Sequence, residues 1–327
     1  MSLESLKLRE RIKERAAELG FEDCRVTGTE PLDEGRALLE WLRQGNYAGM
    51  EWMRREPGLN SRLNPACLLP GAKSVICLAR SYCSDSEEES PYLSGIARYA
   101  WVKDYHYLLK KPLEELARFV DEYTPRGVPA AVCCTDSHPV LERALAQRAG
   151  IGVVGWHNNL ISPKLGNYFF LAEVITCLEL PEDEPLSEEF CSCVHCGLCL
   201  RACPTGALEA PYRLNARRCL SYLTIEHRGE ISPEFHSAMG ERFMGCDRCL
   251  EACPWSRINR RSTLPRWRLP EEFPENGEDF SLEDFIHFLE GLSNRRFQSL
   301  FKDSSLSRPG KAGLLRNLRI ALSNSRT

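Results

Sequence analysis

The chain has 327 residues, 43% of them hydrophobic, which is enough to bury a full core and to divide into two or three domains. Its 46 acidic and 42 basic residues leave a net charge of -4, which argues against a globally basic nucleic-acid binder. No apolar run approaches the roughly 18 residues of a membrane span. Sixteen cysteines could suggest disulfides, but the chain opens Met1-Ser-Leu-Glu with no signal segment, so a reducing cytoplasm is the expected setting.

Residues 6–19 carry apolar side chains at helical spacing and stop at Gly20, and residues 33–44 read as a second helix. A loop rich in Arg54, Arg55 and Arg62 follows. The short apolar runs 74–79 and 129–134 have the look of buried strands, with a long helix over 105–123 between them. Residues 141–149 read as a helix ended by Gly150. The glycine-dense stretch 150–166 contains G-x-G-x-x-G but follows a helix and opens none, so it reads as a loop and not a dinucleotide fingerprint. Residues 167–180 predict a strand pair or one long strand. An acidic linker over 181–185 leads to the cysteine-rich segment, after which 265–274 is a proline-punctuated connector and 281–289 and 312–324 are helical. The expected organisation is a mixed α/β domain over 1–185, a ferredoxin-like domain over 186–262 and a short helical region over 263–327.

The cysteine-rich segment carries the chemistry. Cys193, Cys196, Cys199 and Cys203-Pro204 reproduce the spacing by which bacterial-type ferredoxins hold a 4Fe-4S cluster, and Cys246, Cys249 and Cys253-Pro254 supply most of a second copy. In such proteins the cysteine before proline crosses to the other cluster. That rule predicts one quartet of Cys193, Cys196, Cys199 and Cys253, and a second of Cys203, Cys246, Cys249 and Cys219, the one cysteine between the two runs. A zinc ribbon is the alternative, since paired C-x2-C motifs also bind zinc. Cys191 reads as a bystander, and Cys24, Cys67, Cys77, Cys83, Cys133, Cys134 and Cys177 as small buried hydrophobes. A ferredoxin module needs only about sixty residues, so the preceding α/β part must receive the electrons.

Several stretches resemble the epoxyqueuosine reductase family, cobalamin-dependent iron-sulfur enzymes of the last step of queuosine synthesis in tRNA. The carriers are Leu69-Pro-Gly-Ala-Lys-Ser-Val75, Ile96-Ala-Arg-Tyr-Ala100, Lys103-Asp-Tyr-His106, Thr135-Asp-Ser-His-Pro-Val-Leu-Glu142, Cys203-Pro-Thr-Gly-Ala-Leu208, Ala216-Arg-Arg-Cys-Leu-Ser-Tyr-Leu-Thr-Ile-Glu226, Gly245-Cys-Asp-Arg-Cys249 and Cys253-Pro-Trp255. The resemblance implies an α+β fold, with a corrinoid in the amino-terminal part similar to cobalamin-trafficking and reductive-dehalogenase proteins. It also implies two-electron reduction of the epoxide of epoxyqueuosine at the tRNA wobble position, with loss of water.

In the family the aspartate matching Asp136 is the acid that protonates the departing oxygen. The residues alone favour a helix N-cap, because Asp136 precedes a helix expected to begin near Pro139, and it is the resemblance that points to the acid. A raised pKa, from burial against an apolar corrin face, would suit the acid. By the same resemblance Arg62, Tyr99, Asp136, Trp156, Ser221 and Asp247 would neighbour the corrinoid. His138 and Trp156 depart from the family pattern, which carries a small residue and a lysine there, and typical members continue into a helical-repeat tail. Arg201, Arg217, Arg218, Arg257, Arg260, Arg261, Arg266 and Arg268 form a basic tract, in which Arg217 and Arg218 are the expected tRNA contacts. Expected partners are tRNA and an external electron donor such as flavodoxin or ferredoxin, with the chain a monomer. The competing readings are a corrinoid reductase of a small molecule, resembling reductive dehalogenases, and an electron-transfer or corrinoid-activating protein.

Overall fold

The computed structural model describes residues 3–83, 91–187, 190, 193, 196–258, 261–273 and 280–326. Of the residues singled out above, Cys191 and Arg260 lie outside the described residues. The chain enters through helix α1 (Leu3–Glu18), whose end is followed by Gly20 at φ 92°, a left-handed conformation that costs glycine little. Then come β1 (Asp23–Thr27), α2 (Gly35–Arg43), α3 (Gly58–Leu63) and β2 (Ser74–Ser81). Helix α4 (Tyr105–Asp121) is capped by the Asp104 carboxylate, which accepts the His106 N–H at 3.0 Å. Strand β3 (Val132–Cys134), α5 (Glu142–Ala149), the β4 (Val153–Val154) and β5 (Leu160–Ile161) hairpin and β6 (Phe169–Thr176) complete this part.

The main sheet has the order β1-β2-β6-β3, with every neighbouring pair antiparallel. Helices cover both of its faces, which explains why β2 and β6 read as continuous apolar runs instead of alternating ones. Val26, Ile76, Leu78, Ala172 and Val174 pack with Ile12, Leu109, Leu113 and Leu116 of α1 and α4. Their sequence neighbours Val75, Cys77, Ala79 and Ile175 face the other way, against Ala144, Leu145 and Ala149 of α5. That second face also carries Glu173, which stands opposite both Cys77 and Cys134 and is fully buried.

Beyond the sheet the chain forms α6 (Leu198–Ala202), the β7 (Leu208–Ala210) and β8 (Arg213–Leu214) hairpin, α7 (Leu220–Ile225), α8 (His236–Met239) and α9 (Arg248–Glu251). It closes with α10 (Leu282–Gly291), α11 (Asn294–Leu300) and α12 (Gly310–Ser325). The last three helices pack on Tyr92, Leu93, Ile96, Trp101, Phe243 and Met244, so their core is shared with earlier parts of the chain. Buried Asn317 on α12 makes the link specific, donating to the carbonyls of Thr224 at 2.7 Å and Phe243 at 2.9 Å. The Thr224 hydroxyl in turn accepts the Gly245 N–H at 2.9 Å. Gly245 has φ 73°, and a Cβ there would stand 2.6 Å from that of Ala97, so only glycine fits this turn beside Cys246. Among the described residues no helix is long and apolar enough to cross a membrane.

The observed architecture is α+β, as the sequence suggests, with several local differences. Strand β1 lies where the sequence predicts no element, because Asp23 and Arg25 interrupt its apolar pattern. The loop expected over 150–166 contains β4 and β5. Of the two readings of 167–180 the single long strand is the one observed, as Phe169–Thr176. Helix α11 has one fully buried residue, Phe297, and so no periodicity to read. Helix α5 starts at Glu142, three residues after Pro139.

Candidate active site

The eight candidate thiols fall into two groups. Electrostatic interactions tie Cys199 to Cys193 and Cys253, and Cys253 to Cys193 and Cys196. A separate set links Cys249 to Cys246, Cys219 and Cys203. The proline-linked cysteines thus stand each with the other run, and Cys219 stands with the second group. Burial pushes the thiols of Cys199, Cys219, Cys249 and Cys253 up, and that of Cys246 up to about 11. Backbone amides aim at several of these sulfurs. Ala207 N–H donates to Cys203 Sγ at 3.2 Å, Ser221 and Tyr222 donate to Cys219, Arg248 to Cys246 and Trp255 to Cys253. Such N–H···S bonds stabilise negative charge on sulfur and set the potential of an iron-sulfur cluster, so the donor set suits thiolate-held iron.

Asp136 sits in the 135–141 loop at φ 52°, a left-handed conformation uncommon outside glycine. Its side chain is 63% exposed. The carboxylate makes no cap on α5, whose N-cap position is Leu141 with no side-chain bond. Instead Oδ2 accepts the Tyr105 hydroxyl at 2.7 Å and lies 3.9 Å from His106 Nε2. Burial, then the neighbouring Asp136 charge, pushes the Tyr105 phenol well up, so it stays a donor. Its ring is clamped between Phe170 at 4.3 Å and His106 at 4.2 Å. His106 is raised chiefly by its bond from Nδ1 to Asp104 at 2.7 Å.

Behind the loop, Glu142 Oε1 accepts the Asp136 N–H at 2.5 Å. Burial, then Asp136, pushes this carboxyl up to about 7. Deeper still, Glu173 is raised by burial and then by Glu142 and Asp136, and among the described residues neither of its oxygens has a hydrogen-bond partner. An unpaired buried charge is costly, so Glu173 is neutral in the native protein. Because the native carboxyl keeps its proton while the unfolded one loses it near pH 4.5, this residue makes stability fall as pH rises above that value. Glu173→Met is therefore expected to gain stability over wild type as pH goes from 5 to 8, at up to about 1.4 kcal/mol per pH unit. Denaturant melts at several pH values measure this.

Arg62 is buried, with its guanidinium 5.3 Å from the Trp52 ring centroid, and it feels the Asp136 charge. Tyr99 feels both Asp136 and Asp247. Asp247 is buried, its Oδ2 accepting the Arg98 N–H at 2.6 Å, and burial pushes its carboxyl up to about 6. Ser221 flanks Cys219. Asp136, Arg62, Tyr99 and Asp247 are thus electrostatic neighbours, and the set ends at the second thiol group. Guanidinium, phenol, hydroxyl and carboxyl suit the amide-rich rim of a corrinoid. Trp156 contacts run elsewhere, to Gly197 and to the Tyr212 N–H at 3.4 Å. His138 is exposed and bonded to the Ser137 hydroxyl at 3.2 Å. Arg217 and Arg218 are both exposed, the former lying over Gly45. Tyr105, His106, Glu142 and Glu173 escaped the sequence reading as site residues, although the first three stand inside motifs already singled out.

The family model described as "4Fe-4S double cluster binding domain" matches residues 192–256, and that described as "Epoxyqueuosine reductase QueG, DUF1730" matches residues 62–137. The epoxyqueuosine reductase of Escherichia coli (strain K12) is 34% identical over 336 residues, covering 98% of this chain and 82% of the relative. A crystal structure of epoxyqueuosine reductase with an epoxyqueuosine-modified tyrosine tRNA stem loop superposes with a TM-score of 0.79 at 30% identity, over 97% of this chain and 81% of the other. The Streptococcus thermophilus epoxyqueuosine reductase structure gives 0.84 at 29% identity, over 98% and 82%. Fold and thiols together define an oxidoreductase in which an antiparallel α+β domain is joined to a module for two 4Fe-4S clusters. The chain belongs to the epoxyqueuosine reductase family.

Proposed function

We propose that the chain reduces epoxyqueuosine to queuosine in tRNA, with Asp136 as the proton donor. The observation that carries this reading is the kinship with an enzyme solved on an epoxyqueuosine-modified stem loop. Removing the epoxide oxygen consumes two electrons and two protons, breaks both carbon–oxygen bonds and releases water. Cobalamin, when bound, supplies the strong reducing chemistry that this deoxygenation requires. Cys193, Cys196, Cys199 and Cys253 hold one cluster, and Cys203, Cys219, Cys246 and Cys249 the other. Arg62, Tyr99, Ser221 and Asp247 border the corrinoid.

Asp136 presents its proton at the carboxyl, and the Tyr105 hydroxyl fixes the direction of Oδ2. Residues 1–185 carry this acid, 186–262 the clusters, and 263–327 the helices that brace them. An external flavodoxin or ferredoxin supplies electrons to a cytoplasmic monomer. The direct test is anaerobic incubation of the reduced, cobalamin-loaded protein with an epoxyqueuosine stem loop, followed by nucleoside mass spectrometry. Product lighter by one oxygen supports the reading, and unchanged substrate overturns it.

Arg217 and Arg218 are assigned to the tRNA phosphates. Arg217→Ala with Arg218→Ala is expected to weaken stem-loop binding and to lower the slope of log K against log salt by about 1 for each arginine replaced. Turnover at saturating substrate should be nearly unchanged. Titrations at several ionic strengths measure it.

A further inference from the structure

Asp136 is exposed and holds a left-handed backbone conformation that a non-glycine residue adopts only at an energetic cost. Something must hold it there. The helix behind the loop supplies no ordinary cap, since the N-cap position of α5 is Leu141 and its side chain makes no bond. The first residue of that helix, Glu142, instead turns its carboxyl back and takes the Asp136 N–H at 2.5 Å. Beneath it the sheet presents Glu173, buried, with both oxygens unpartnered among the described residues. A carboxyl in that position serves no packing need that a methionine would not meet.

We propose that Glu142 is a positioning residue for Asp136: by accepting the Asp136 N–H it locks the 135–141 loop in the left-handed turn from which the Asp136 carboxyl meets Tyr105 and the substrate. This inference rests on the proton-donor reading of Asp136. The bond runs backwards against the helix direction and closes the short loop between the acid and rigid α5, whose Ala144, Leu145 and Ala149 are buried against the sheet. The lock is thus anchored in the core, while the acid it holds stays at the surface. Glu173, kept neutral behind it, adds no second charge to repel the loop carboxylate.

The test compares Glu142→Ala with Glu142→Gln, because the glutamine amide oxygen still accepts an N–H whereas alanine cannot. Hydrogen–deuterium exchange of the peptide spanning 135–141 and steady-state kinetics are read on the cluster- and cobalamin-loaded protein. Glu142→Ala is expected to speed exchange in that peptide and to lower kcat, each by about tenfold, with KM and bound iron unchanged. Glu142→Gln should recover both to within about threefold of wild type. Wild-type exchange and kcat in Glu142→Ala would overturn the proposal, as would a glutamine variant as impaired as the alanine one. Should Glu142→Ala fail to load iron, Glu142→Asp, one methylene too short to reach, takes its place with the same expected outcome. If Asp136→Asn proved fully active the proton-donor reading would fall, yet the exchange measurement would still report on the lock by itself.

Discussion

Asp136→Asn should reduce turnover by about 100- to 10,000-fold, the range by which a positioned general acid accelerates a reaction. The amide keeps the shape of the carboxyl and can still accept the Tyr105 hydroxyl, which lies 2.7 Å from Oδ2 in the native protein. What it loses is a transferable proton. Asp136 is exposed and forms no part of the hydrophobic cores, so iron content, cobalamin binding and thermal stability should match wild type. Anaerobic kinetics beside iron and cobalt counts per chain decide the matter. Activity within a few-fold of wild type would assign the proton to another group, and lost cobalamin would assign Asp136 to binding.

Cys253→Ala and Cys249→Ala alter neighbouring stretches of one cysteine run yet are expected to remove different clusters. Cys253 interacts electrostatically with Cys193 and Cys196, whereas Cys249 interacts with Cys246, Cys219 and Cys203. Each variant should fall from about eight irons per chain to about four, because a cubane loses its hold when one of four thiolates is missing. The surviving electron paramagnetic resonance signal should be the same in Cys253→Ala and Cys196→Ala, and the same in Cys249→Ala and Cys219→Ala, but different between the two pairs. Matching signals in Cys253→Ala and Cys249→Ala would refute the crossed assignment. Turnover should drop at least about 100-fold in every case, since a relay with one carrier missing passes electrons across too long a gap.

Much of this site is legible in the linear chain for a simple reason. Iron-sulfur ligation is local: Cys193, Cys196 and Cys199, the three neighbouring thiols proposed for the first cluster, are each separated by two residues, so their spacing encodes the geometry directly. Cys219 is also legible, by elimination, because no other cysteine stands between the runs. Long helices with strong caps, such as α4 behind Asp104 and α10 behind Ser281, announce themselves in the same way.

Other features required the folded molecule. Asp136 followed by Ser, His and Pro is a reasonable capping sequence, and what removes that role is the placement of Glu142, Tyr105 and the left-handed backbone at 136. Glu173 reads as one polar residue in an apolar strand. Only the register, which sets it opposite Cys77 and Cys134 on a covered face, makes it a neutral buried acid behind the site. The edge strand β1 stayed hidden because its pairing with β2 and not its composition makes it a strand.

The linear chain by itself pointed to the iron-sulfur chemistry, to the two proposed thiol sets and to the helices with local caps, because each depends on residues close together or on the cysteine spacing alone. The tertiary structure decided which carboxyl is exposed, which is held neutral and which hydroxyl meets Asp136. Those properties depend on burial and on partners 31 to 149 residues away, such as Tyr105 for Asp136 and Arg98 for Asp247, and desolvation and hydrogen bonding exist only once the chain has closed around them.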